Sequence, residues 1–162
     1  DEWRPAVVIG QQGRSRKIGV AGSYAVGPFK GMIGARYGRL TAADGAELQR
    51  DNYYWAGLNY QVTPPLGLTL AYFYDDISQL RAASGLASNN PANPWQISFV
   101  ADYNFSKRTD VYLSTAYAKN AGLMLESLGT VYANSLSLGN SYALANGQSN
   151  MLGVALGIRH KF

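Results

Sequence analysis

The sequence predicts an all-β chain, an antiparallel up-and-down transmembrane β-barrel, and three observations carry that prediction. Large apolar or ring-bearing residues alternate with small or polar ones through much of the 162 residues, the period of a strand. The alternating segments are joined by short turns at one end and long polar stretches at the other. Rings gather near segment ends with Leu, Ile and Val between them, as side chains do on a sheet that crosses a bilayer.

Seven segments show the alternation well, and "RPAVVIGQ" (4–11) is a weaker eighth. In "KIGVAGSYAV" (17–26), Ile18, Val20, Tyr24 and Val26 oppose Lys17, Gly19, Ala21, Ser23 and Ala25. The turn "GPF" leads to "FKGMIGARYGRL" (29–40), where Phe29, Ile33, Ala35 and Tyr37 oppose Lys30, Met32, Gly34, Arg36 and Gly38. A polar loop is expected over 41–51. "YYWAGLNYQV" (53–62) then sets Tyr54, Ala56, Leu58, Tyr60 and Val62 against Asn59 and Gln61. After "TPP" comes "LGLTLAYFYD" (66–75), with Leu66, Leu68, Leu70, Tyr72 and Tyr74 against Gly67, Thr69, Ala71 and Asp75. A second loop is expected over 76–94. "WQISFVADYNF" (95–105) and "TDVYLSTAYA" (109–118) flank the turn "SKR", and a third long stretch runs from Lys119 to Asn150. The chain closes on "GVALGIRHKF" (153–162), where Phe162, His160, Ile158, Leu156 and Val154 share a face. A polar terminus frays, so an apolar strand running to the last residue must be paired and buried on one face.

Proline, glycine and polar residues make the short turns tight reversals. Periodicity alone leaves open a soluble sandwich or a lipocalin-like barrel, which would turn the large apolar set inward. The ring placement and the unequal ends favour the membrane. The opposite, small or polar set then faces a lumen.

Composition narrows the function. No cysteine is present, so disulfides and thiolate metal sites are excluded. The net charge of +4 is scattered rather than concentrated on one stretch, which gives no nucleic-acid footprint. No run of eighteen apolar residues occurs to make a membrane helix. Residues 1–16 lack the pattern of a signal peptide, and any export signal is expected to have been removed.

Two stretches resemble a known family. "ADYNFSKRTDVYLSTAYAKN" (101–120) and the terminal "GIRHKF" (157–162) are similar to the last strands of the trimeric general-diffusion porins of Neisseria and Burkholderia type, found in the outer membranes of beta-proteobacteria. "GVAGSYAVGPFKGMIGARYGR" (19–39) is similar to an interior hairpin of that family. The resemblance implies a water-filled channel for passive diffusion of small hydrophilic solutes and ions. It further implies a homotrimer, set in outer-membrane lipid and lipopolysaccharide, with its C-terminus on the periplasmic side. Ile158, His160 and Phe162 resemble the signal read by the outer-membrane assembly machinery. Family members have sixteen strands and about twice this length, so residues 1–162 are read as a single barrel segment, the C-terminal half of such a protein. A split barrel or a complete small barrel stays open, the latter as a non-conducting anchor or surface-binding module. Glycine and alanine at so many inward positions fit a wide wall better than a narrow core.

The candidate pore-lining residues are Lys17, Lys30, Arg36, Asn59, Gln61, Asp102, Asn104 and Arg159. Inward Lys and Arg, set against Asp75, Asp102 and Asp110, suggest a mild anion preference; solvation of the lumen or binding of headgroup phosphate is the competing role. Arg36, near mid-strand, is the leading wall charge. His160 is the lone histidine and is expected at the membrane interface. With no second ligand or nucleophile–base pair beside it, no enzyme, cofactor or metal site is expected. Asp75, Asp76 and "DGAE" (44–47) lack calcium-ligand spacing.

Overall fold

The computed structural model describes residues 13–81, 85, 87, 88, 92–120 and 149–162. Among them run seven strands: β1 (Arg14–Val26), β2 (Phe29–Thr41), β3 (Glu47–Thr63), β4 (Leu66–Leu80), β5 (Trp95–Asn104), β6 (Thr109–Lys119) and β7 (Asn150–His160). They form one open antiparallel sheet in the order β1-β2-β3-β4-β5-β6-β7, each strand beside its sequence neighbours. No helix among the described residues is long and apolar enough to cross a membrane, which has no bearing on crossing by strands. The weak eighth segment, 4–11, lies outside the described residues.

The three short reversals fall at one end of the sheet. Gly27, at φ +54, takes the left-handed conformation that closes the β1–β2 turn. Pro64 and Pro65 make the β3–β4 turn, and the Pro65 carbonyl accepts from the Asn104 amide at 2.8 Å, tying it to β5. In the β5–β6 turn the Ser106 hydroxyl accepts from the amides of Arg108 and Thr109, a side chain standing in for strand pairing.

At the other end the expected loops are shorter than the sequence suggested. The polar residues 47–51 belong to β3 and residues 76–80 to β4, so only 42–46 turn between β2 and β3. Asp44 caps that turn by accepting from the Ala46 amide at 3.0 Å. Polar side chains on both faces made these segments read as loop. They stay paired because β3 and β4 extend each other, with register shifts at Leu40/Thr41 and Arg50/Asp51 absorbing the irregularity. Asn93 pins the β4–β5 connection: its Oδ1 accepts from the Ile77 amide and its Nδ2 donates to Tyr74 Oη and Asp76 Oδ1.

The two faces differ sharply. Except for Met32, every exposed large hydrophobic residue among those described, from Ile18 to Phe162, lies on one face. The opposite face holds smaller and more polar side chains, yet it contains the buried Gly34, Gly38, Asp51, Tyr53, Asp75, Gln96, Asp110 and Ala118. The polar face is the more enclosed one, through side chains that lean over its small residues and a sheet that curls toward it, as the wall of a barrel does.

Candidate functional site

The polar, concave face is the candidate site, and strand register divides it into rows. Nearest the loop end, Lys17, Gly38, Asp51 and Ile77 align across β1 to β4. The next row is Gly19, Arg36, Tyr53 and Asp75. Below it stand Ala21, Gly34, Trp55, Phe73, Gln96 and Ala118, and lower still Ala25, Lys30, Asn59, Thr69, Val100, Ser114 and Ala155. Toward the turns come Gln61, Gly67, Asp102, Tyr112 and Gly157, then Asn104, Asp110 and Arg159.

All eight residues proposed from the sequence to line a pore occupy this one face. They do not form one cluster. Arg36 Nη2 pairs with Asp51 Oδ2 at 3.3 Å, and its guanidinium lies 5.0 Å from the centroid of the Tyr53 ring, a cation–π geometry. Gln49 Nε2 donates to the other oxygen of Asp51 at 2.9 Å, so this carboxylate is held from two sides and is almost wholly buried. The leading wall charge therefore stands compensated.

A second ion-pair centre lies toward the turns. Arg159 grips Asp110 through Nε, at 3.1 and 2.9 Å, and through Nη2, and it reaches Asp102 at 3.5 Å. A guanidinium and a carboxylate matched edge to edge make a directional pair. The Arg159 side chain remains 57% exposed against 27% for Arg36, so water screens the lower pair far more.

Between the centres runs a belt that holds no carboxylate among the described residues. Lys30 is exposed there, across β2 and β3 from Asn59, whose Nδ2 donates to Thr69 Oγ1 at 2.9 Å. Gln61 and Asn104 share the face, but both turn back to the reversals. Gln61 Nε2 donates to the Thr63 carbonyl and Asn104 Nδ2 to the Pro65 carbonyl.

Sequence reasoning missed the aromatic part of this face. Tyr53, Trp55 and Phe73 form a group, with Tyr53 5.6 Å from Trp55 and 6.4 Å from Phe73. Trp55 covers Gly34 so closely that an added Cβ would meet the indole at 2.1 Å, and Tyr112 covers Gly157 in the same way at 2.5 Å. Part of the small-residue set thus receives rings from the neighbouring strand and is not bare wall. Strand parity would have placed these rings, since Tyr53 and Trp55 alternate with Tyr54. Asp51 was missed because 41–51 read as loop.

Ile158, His160 and Phe162 lie on the apolar face at the turn end. The His160 ring meets Phe162 edge to face at 4.9 Å, and its Nδ1 shares a 2.8 Å hydrogen bond with Thr109 Oγ1. Among the described residues no group of three or more His, Cys, Asp or Glu is arranged to hold a metal ion.

Comparison with known proteins agrees with this wall-like arrangement. A family model described as Gram-negative porin matches residues 6–123. No curated protein sequence matches the chain. Among solved structures, the anion-selective porin from Comamonas acidovorans superposes with a TM-score of 0.63 at 24% identity, over 90% of this chain and 39% of that one. The chain thus spans well under half the length of that porin. With the family model covering most of the sheet, its curled polar wall and its apolar outer face, the chain belongs to the Gram-negative porin family, whose members are outer-membrane channels rather than enzymes.

Proposed function

We propose that residues 1–162 form one segment of a longer barrel, its C-terminal part, and that the concave face lines a water-filled channel through which small hydrophilic solutes and ions diffuse passively. The observation that carries this reading is the division of the sheet: exposed large hydrophobics on one face, and on the other a smaller and more polar wall, interrupted by the Tyr53, Trp55 and Phe73 rings. The apolar face meets lipid. The turn end, with Phe162, faces the periplasm and the loop end faces outward, as the unequal connections of outer-membrane barrels favour. No catalytic step is assigned. Assembly as a homotrimer, and recognition of Ile158, His160 and Phe162 by the assembly machinery, belong to the same reading and rest on family likeness.

The channel is proposed to prefer anions mildly. The concave face bears Lys17, Lys30, Arg36, Arg159 and Lys161 against Asp51, Asp75, Asp102 and Asp110. The two arginines are matched by carboxylates, so Lys30, in its acid-free belt, is the wall charge that biases permeation. The anion selectivity in the name of the Comamonas porin points the same way. Reconstituting the full-length protein in planar bilayers tests both statements. Resolved open steps, with a reversal potential of anion sign across a salt gradient, are expected. Folded, full-length protein that gives no steps would overturn the channel in favour of an anchoring barrel. A cation-sign potential would overturn the preference alone.

A further inference from the structure

Three arginines stand in line on the apolar face at the loop end. Register places Arg16 opposite Arg39 and Arg39 opposite Arg50, across β1, β2 and β3, and Arg14 lies on the same face one pair further out, opposite Thr41. Like charges directly opposite each other destabilise a strand pair. The row therefore needs anionic company. Among the described residues, the carboxylate paired within the row is Glu47: the register shift at Leu40/Thr41 leaves Leu48 as an extra residue and turns Glu47 to this face, where it meets Arg39 Nε at 2.5 Å and Arg50 Nε at 3.4 Å. With Asp76 on the same face one row below, opposite Asn52, the described carboxylates are still outnumbered by the four arginines. Arg39 and Arg50 remain nearly half exposed.

Depth on the sheet identifies the occupant. Arg39 lies two residues beyond Tyr37, roughly 7 Å along the strand; the exposed Ile18 stands level with Tyr37, and Val20 and Ile33 below it begin the lipid-facing band. Cations just beyond the last rings stand at headgroup level, and the apolar surface beneath them accepts acyl chains. A free anion would use only the guanidinium groups. A phosphorylated lipid uses both parts.

We propose that Arg16, Arg39 and Arg50, with Arg14, form a binding site for the phosphate groups of an outer-leaflet glycolipid headgroup, lipopolysaccharide in its bisphosphorylated form. Guanidinium forks match phosphate oxygens two by two, and a phosphate between Arg16 and Arg39 relieves the repulsion that Glu47 leaves. Choosing the outer leaflet rests on the orientation proposed above.

The test uses the full-length protein in non-ionic detergent, titrated with purified bisphosphorylated lipopolysaccharide and read by native mass spectrometry. The triple substitution Arg16→Gln, Arg39→Gln, Arg50→Gln is expected to weaken binding about fivefold per arginine, roughly a hundredfold in all. Dephosphorylated lipopolysaccharide should bind the unsubstituted protein about as weakly. Unchanged binding by a triple variant of normal conductance would overturn the site. Displacement of the lipid by inorganic phosphate at equal concentration would show a free-anion site and overturn the glycolipid. Orientation is read separately, by labelling Ala43→Cys in intact cells with a membrane-impermeant reagent. Binding with no label would move the site to the inner leaflet, overturning the lipid's identity while leaving the channel reading intact.

Discussion

The concave wall holds two arginine–carboxylate centres that differ in what surrounds them. In the upper one, Arg36 lies against the Tyr53 ring, and Asp51, with 4% of its side chain exposed, also accepts from Gln49. In the lower one, Arg159 spans Asp110 and Asp102 and stays mostly open to water. The same pair of residue types is structural in the first place and adjustable in the second. Desolvation makes the difference: an ion pair shut away from water is costly to break, whereas an exposed one exchanges partners with solvent at little cost.

The largest expected contrast comes from the rings that accompany the two centres. Gly34→Ala would drive a Cβ into the body of the Trp55 indole, which is itself backed by Tyr53. A loss of about 1–3 kcal/mol is expected, read as a lower urea midpoint of the full-length barrel, with fluorescence reporting the displaced tryptophan. Gly157→Ala meets only the far end of the Tyr112 ring, which can swing into the concave space, so its midpoint should stay near the parent's. Equal effects at the two glycines would remove the distinction between a packed upper wall and a loose lower one.

Next in size is Asp51→Ala. It removes the carboxylate that pairs with Arg36 in a half-buried setting, and a cost of about 1–3 kcal/mol is expected. The loss of that negative charge should also move the reversal potential toward anions. Asp110→Asn, by contrast, leaves Arg159 within reach of Asp102 and of water, so the urea midpoint should hold while the reversal potential drifts slightly in the same direction.

These contrasts also mark what the sequence made legible. Strand parity needs only counting, so the faces of Lys17, Lys30, Arg36 and Arg159, and the lone position of His160, followed directly from the period of two. The strand ends did not. "ELQRDN" and "DDISQL" carry polar groups on both faces, and only pairing with neighbouring strands, visible once Arg50 stands between Arg39 and Gln79, makes them strand. The partnership of Arg36 with Asp51 spans fifteen residues and depends on the β2–β3 register, which no local pattern encodes. Rings on the polar face went unread for another reason. Size alone assigns a ring to lipid, yet a glycine on the neighbouring strand gives it a seat on either face.

The smallest expected effect separates charge from pairing on the wall. Lys30→Glu reverses a charge in the belt of Asn59, Thr69 and Ser114, where no carboxylate shares the row. It should shift selectivity toward cations without moving the urea midpoint, because an exposed lysine on a polar surface contributes little to packing. Arg36→Gln should do the opposite. Asp51 is left facing Gln49 and the substituted amide, stability falls, and the selectivity shift is the smaller one, because one unit of charge is lost rather than reversed and the carboxylate left behind is almost wholly buried. If Arg36→Gln shifts the reversal potential further than Lys30→Glu, pairing does not decide which wall charges ions feel, and position along the pore does.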